Sequence, residues 1–193
     1  MMKLAIAKKI PHVHELHGDN REDHYYWLKD KTNPEVIGYL EEENRYFKEI
    51  MAPLEGLTEE IYQEMVERVP ASEMRVPVQI GAYYYYTRQE KDLQYPIYAR
   101  KKASTRSNLE SVQEEIILNL NELAIEDGYL SVTETRPNLE HTHLAYLENR
   151  DGTDLYTAYI KDLTTGELLS DKIDNVYIFS SLEWSNCGQY IFY

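Results

Sequence analysis

The sequence predicts a helical N-terminal segment, residues 1–70, followed by an incomplete β-propeller of antiparallel strands, residues 71–193. Three observations lead there. Apolar residues recur at helical spacing up to Pro70, between start and stop residues of the right kind. From Met74 the apolar period becomes two, and glycines and short polar stretches break the chain into strands. A weak internal repeat then lays Tyr85-Tyr86 and Tyr95 to Lys101 over Ala145-Tyr146 and Tyr156 to Asp162, and Phe192-Tyr193 begins a third copy. Tyr86 and Tyr146 are 60 positions apart and Tyr146 and Tyr193 are 47, near the roughly 40–50 residues of a propeller blade with insertions. About two and a half blades are expected, the chain stopping in the second strand of the third.

The first helix is well punctuated. Asn33 can accept from its free N–H groups, Pro34 fits the first turn, and Glu35 suits the positive end of the dipole. Val36, Leu40, Phe47 and Ile50 define one buried stripe, and Pro53 is expected to end the helix by restricting Ala52. A second helix is predicted from Thr58, with Leu57, Ile61, Met65 and Val69 as a core-facing stripe and Pro70 as its stop.

Strands are predicted over Met74 to Val78, Ala82 to Thr87 and Tyr95 to Lys101. Pro77 and Pro96 belong at strand starts or edges, where a missing donor is harmless. Ala103 to Ser111 reads as a polar surface connection and Ile116 to Leu118 as a short buried strand. Asp151-Gly152 marks a hairpin between Leu144 to Glu148 and Leu155 to Asp162. Thr164 to Glu167 turns the chain into Leu168-Leu169. Trp184-Ser185-x-x-Gly188 has the form of an inter-strand turn of a blade. Its counterpart at Arg136-Pro137-Asn138 departs from that form, because no glycine follows before Leu144.

Composition narrows the function. A formal charge of −14 argues against nucleic acid and anionic membrane, which both call for basic patches, and is compatible with basic peptide ligands. Eighteen tyrosines against three phenylalanines favour strands, where a ring can be buried and its hydroxyl kept wet. The lone Cys187 excludes an intrachain disulfide and suits a reducing compartment. The only apolar run near the N-terminus, Leu4 to Ala7, is too short for a signal-peptide core or a membrane span. A cytoplasmic protein is expected.

Candidate chemistry is sparse. Leu16 to Asp30 concentrates Tyr25, Tyr26, Trp27 and Leu28 among charges, and reads as a docking turn before a helix. A metal cluster from His12, His14, His17, Asp19, Asp23 and His24 is the sharper reading. It is set aside because His14 and His17 have two residues between them, where the helical zinc signature has three. None of the nine serines has glycine two residues before it, so the Gly-x-Ser-x-Gly elbow of an α/β-hydrolase is absent. Ser185 lies in a turn with no histidine within forty residues, and nothing beside Cys187 in sequence would lower its thiol pKa. No phosphate loop appears. No catalytic, cofactor or metal residue is assigned, and no cofactor is expected.

His17-Gly18-Asp19, Arg21-Glu22-Asp23, Tyr25 to Asp30 and Asn33 to Leu40 together resemble the opening of the oligopeptidase B (protease II) branch of the prolyl oligopeptidase family. Glu43-Asn44, Glu64-Met65 and Trp184-Ser185 extend the resemblance over nearly the whole chain. It implies a parent enzyme with a seven-bladed β-propeller and an α/β-hydrolase domain bearing a Ser-Asp-His triad, which cleaves short peptides after Lys or Arg. It further implies that this chain is only the front of such an enzyme, lacking the hydrolase domain. Residues 1–70 would dock on that domain, and the propeller would restrict entry to short peptides, short basic peptides being the parent enzyme's substrates. The alternatives are a non-enzymatic propeller-like interaction module and a standalone small β protein. The Arg21 to Asp30 motif argues against the first and the unfinished third repeat against the second.

Overall fold

Asn33 caps the first long helix: its side chain accepts from the Glu35 N–H at 2.9 Å, with Pro34 in the first turn. The computed structural model describes residues 4–124 and 128–193. Residues 1–3 of the predicted helical segment and 125–127 of the predicted propeller lie outside the described residues. The chain divides into two units, Met1–Val69 and Pro70–Tyr193.

The first unit opens with a hairpin the sequence reading missed, β1 (Val13–Leu16) against β2 (Asp19–Glu22). His17 and Gly18 both take positive φ, 53° and 80°, the backbone of a two-residue hairpin turn. All but one of its strand residues are exposed, so no apolar alternation betrays it. A 3-10 turn, Tyr26–Lys29, leads to α1 (Pro34–Met51), a second 3-10 turn, Ala52–Leu54, and α2 (Glu55–Glu67).

Two helical expectations are corrected. Ala52 stays right-handed at φ −50°, ψ −42° despite preceding Pro53. The chain tightens into a 3-10 turn there, and α2 begins three residues before Thr58. Thr58 Oγ1 donates to the Leu54 carbonyl at 3.0 Å within the helix. The second correction concerns burial. Only Val36 of the α1 stripe is buried, while Leu40, Phe47 and Ile50 are more than half exposed, as are Leu57, Met65 and Val69 of the α2 stripe. Helical spacing records a demand for an apolar partner; it does not supply one, and here the stripes remain open.

In the second unit, β3 (Glu73–Met74) and β4 (Val78–Ile80) both pair with β5 (Tyr83–Gln89), followed by β6 (Ile97–Lys102) and β7 (Glu115–Asn119). Pro77 splits the expected strand Met74 to Val78 in two, and Pro96 directly precedes β6. A short helix, α3 (Leu120–Leu123), leaves this first sheet. The second sheet has the order β11-β10-β9-β8, from β8 (Ser131–Pro137), β9 (His143–Asn149), β10 (Leu155–Asp162) and β11 (Leu168–Tyr177). Strand β8 was not predicted. A register shift between Thr133 and Arg136, with Glu134 at φ 50°, breaks its alternation. A third pair, β12 (Glu183–Trp184) and β13 (Ile191–Phe192), completes the described strands.

The alternation along β9 sets the packing. Leu144 and Tyr146 point to one face and join Ile117, Leu118, Leu120 and Leu130 from the first sheet and its exit. Ala145 and Leu147 point to the other, joining Tyr156, Ala158, Val176 and Leu182, with Trp184 and Ile191 against them. Trp184, half-buried, also donates its indole N–H to the Arg136 carbonyl at 2.9 Å, the partner an indole withdrawn from water needs. The second sheet is thus covered on both faces.

Matching turns confirm the internal repeat. His141 N–H bonds the Asn138 carbonyl and Asn138 N–H bonds the His143 carbonyl; Gly188 to Ser185 and Ser185 to Tyr190 repeat this pattern. The two turns are 47 positions apart, the spacing read from the tyrosines. Asn138 is buried, and its Oδ1 accepts from both Thr142 and His143 N–H at 2.9 Å. The turn before β9 therefore rests on one side chain. Replacing Asn138 by Ala leaves two amides without their acceptor and should lower stability by about 1–3 kcal/mol, read as a lower denaturant midpoint at unchanged m-value.

Candidate functional site

The second unit buries one arginine, and the polar side chains of the first sheet are arranged around it. Arg100 on β6 is 4% exposed. Glu115 on the adjacent β7 takes it in a fork, Nε to Oε2 at 2.8 Å and Nη2 to Oε1 at 2.6 Å. Its remaining amino group donates to the His141 carbonyl at 2.6 Å and to the Tyr85 hydroxyl at 3.3 Å. The guanidinium also lies 4.3 Å from the Tyr83 ring centroid, an attractive placement for a cation. Burial works to lower the Arg100 pKa, but the Glu115 and Tyr85 contacts outweigh it and the net shift is upward. Burial raises the Tyr85 pKa, with Arg100 opposing. This charge is fixed.

A second cluster sits on the same sheet. Tyr86 donates to Glu114 Oε2 at 2.6 Å, Arg88 grips both oxygens of Glu114 at 2.8–3.1 Å, and Arg88 also pairs with Glu90. Burial pushes the Glu114 pKa up, yet its donors Arg88 and Tyr86 carry it below the usual carboxylate range. A cavity of about 580 Å³ opens nearby, lined by Arg75, Val76, Thr87, Tyr98, Pro137 and Leu144 among others. Both arginine clusters escaped the sequence reading. The available signal was the tyrosine run Tyr83 to Tyr86 that opens β5, whose alternate members face opposite sides of the sheet.

The stretch Leu16 to Asp30 forms the hairpin end and the 3-10 turn. His12 stacks on Tyr26 with centroids 3.8 Å apart, His14 meets the same ring edge-on, and the Lys29 ammonium lies 3.7 Å from its centroid. Trp27, half-buried, donates its indole N–H to the Lys8 carbonyl at 3.0 Å, so it anchors the N-terminal segment. Among the described residues no three His, Cys, Asp or Glu side chains gather as a metal site, and no helix is long and apolar enough to cross a membrane. Cys187 needs a correction. The Ser185 hydroxyl, 3.3 Å from its sulfur, and the Gln189 backbone N–H lower its thiol pKa. The turn brings together groups that sequence adjacency alone did not flag. The thiol is exposed, and the Glu140 carboxylate nearby opposes the lowering.

Known proteins match this arrangement. The family profile described as "Prolyl oligopeptidase, N-terminal beta-propeller domain" covers residues 5–193. Protease 2 of Moraxella lacunata is 67% identical over 192 residues, spanning 100% of this chain and 28% of its own length. Dipeptidyl aminopeptidase BI of Pseudoxanthomonas mexicana is 35% identical, spanning 97% of this chain and 27% of its own length. Oligopeptidase B from Leishmania major superposes with a TM-score of 0.80 at 28% identity, over 93% of this chain and 27% of that one. The chain spans little more than a quarter of the length of these relatives.

The Arg100 pair gives a ranked prediction. Glu115→Ala strands a buried guanidinium, whereas Arg100→Met replaces it by an apolar side chain and leaves Glu115, which is 43% exposed, free to reach water. Glu115→Ala should therefore cost more, about 1.5–3 kcal/mol. Urea unfolding of the two variants side by side checks the order.

Proposed function

The chain belongs to the prolyl oligopeptidase family, and we propose that it is the front portion of a cytoplasmic serine oligopeptidase that cleaves short peptides after Lys or Arg. The observation that carries this reading is the 67% identity to Protease 2 across the whole chain. In this reading residues 1–70 dock on a hydrolase domain through the open stripes of α1 and α2. Leu40, Phe47, Ile50, Leu57, Met65 and Val69, each more than half exposed, supply the apolar area. Full burial of such a side chain is worth roughly 1.5–3 kcal/mol, and docking would gain the part that is still exposed in each.

Residues 71–193 supply about two and a half blades of the propeller, which restricts entry to short peptides. The second sheet, covered on both faces by apolar clusters, supports that part of the reading. A net charge of −14 favours approach of basic peptides by long-range attraction. Cleavage itself falls to residues outside this chain, which has no Gly-x-Ser-x-Gly elbow.

A chimera tests the proposal. The chain replaces the corresponding N-terminal portion of Protease 2, and hydrolysis of short Arg- and Lys-containing fluorogenic peptides is compared with that of a folded protein. Active-site labelling by a fluorophosphonate reports an intact hydrolase. The expected result is labelling, cleavage of the short peptides and rejection of the protein. A labelled chimera that digests both alike would remove the gating role. A second expectation concerns the chain by itself, which should neither turn over these peptides nor take up the label. Labelling that tracks with turnover would place the nucleophile within these 193 residues.

A further inference from the structure

Three turns aligned by the internal repeat carry a left-handed residue: Gly81 at φ 58°, His141 at φ 58° and Gly188 at φ 67°. Two are glycines, for which this backbone is free. A side chain at the same place is held there against local strain, so its surroundings must favour it. The surroundings of His141 lie on the other sheet. Its Nδ1 is 2.9 Å from the Tyr85 hydroxyl on β5, and its carbonyl accepts from Arg100 on β6. Its ring lies beside the Tyr83 and Tyr85 rings, with centroids 5.0 Å and 5.9 Å away. Its Nε2 comes so close to Gly81 that a Cβ there would sit 2.4 Å away. One imidazole therefore bridges the turns of the first and second sheets.

The neighbouring hydrogen bonds favour one state. A guanidinium only donates, so Arg100 donates to the Tyr85 oxygen, and the Tyr85 hydroxyl proton is free to go to Nδ1. That direction suits a neutral imidazole with its proton on Nε2. Protonating Nδ1 would turn an acceptor into a donor and leave the Tyr85 oxygen facing two cationic donors. The charges around the ring offer little relief. Arg100 and Lys102 come from β6, and Glu115 of β7 is already committed to Arg100. Tyr83 and Tyr85 come from β5, and Glu140 is the acidic neighbour on the turn itself.

We infer that His141 is a pH-sensitive latch that fastens the first sheet to the second while its imidazole is neutral and releases that junction when it is protonated. Burial first, and then the Arg100 charge, hold its pKa below the ordinary histidine value, with Glu140 opposing. The sign follows. A histidine whose folded pKa lies below its unfolded value contributes stability that is fully present above the unfolded pKa, about 6.5. That contribution is lost as pH falls from there through the folded pKa. Each pKa unit of difference shifts the folding equilibrium tenfold.

The test follows the whole chain from about pH 8 to about pH 5, the range in which histidine titrates. Denaturant unfolding and hydrogen–deuterium exchange are measured for the wild type, His141→Asn and Gly81→Ala. Asparagine tolerates the left-handed backbone and does not titrate. Wild type should lose stability on acidification, with exchange rising first in the turns around Gly81 and His141. His141→Asn should lack that share of the loss. Gly81→Ala should displace the ring and flatten the profile at every pH. The His141 ring proton signal, followed by NMR in the wild type, needs no variant to fold and should titrate below the ordinary value. A wild-type pH profile in His141→Asn, exchange rising evenly over the unit, or a ring titrating at or above the ordinary value would each overturn the latch.

Discussion

Strand β9 has no side that faces water. Leu144 and Tyr146 on one face, and Ala145 and Leu147 on the other, are each at most 1% exposed. An antiparallel sheet usually offers one face to solvent; a sheet built around this strand must be covered twice. The first sheet meets the demand on one side; Leu182 with Trp184 and Ile191 of the β12–β13 pair meets it on the other. Stacking along the chain follows from that single requirement. The polar clusters then occupy what the apolar residues leave, at the turns and along the first sheet. This is the arrangement expected of radially repeated sheets, whose neighbours protect one another's faces.

Much of this was legible in the sequence because the signals were local. Asn33-Pro34 marked the start of α1, Asp151-Gly152 the β9–β10 hairpin, and the tyrosines at 60 and 47 positions the repeat. The resemblance to the oligopeptidase B branch, carried by the compound pattern from His17 to Leu40, is borne out by the relatives. What escaped were features decided by tertiary context. The β1–β2 hairpin is almost wholly exposed, and His17 in its turn was instead weighed as a possible metal ligand. Strand β8 is bulged at Glu134. The α1 and α2 stripes were read as core, though periodicity says only that a partner is wanted.

The missing glycine between Asn138 and Leu144 is the most instructive departure. Read from sequence, it weakened the match between the turns. In the structure His141 takes the glycine's backbone conformation and brings an imidazole to the sheet junction, where Tyr85, Arg100 and Gly81 receive it. Arg100 itself is an arginine in the middle of a strand, which looks like a solvent-facing residue until Glu115 and the His141 carbonyl are placed around it. A position that breaks its own repeat while the fold persists is where added chemistry should be sought.

The two-sided burial of β9 is most directly tested by the unfolding free energies of Leu144→Ala and Leu147→Ala, residues that point to opposite faces of one strand. With both faces packed, each truncation should cost about 2–5 kcal/mol, as in any close-packed core. If either costs no more than the roughly 0.5 kcal/mol of a surface substitution, that face is open to water and the stacked-sheet account is wrong.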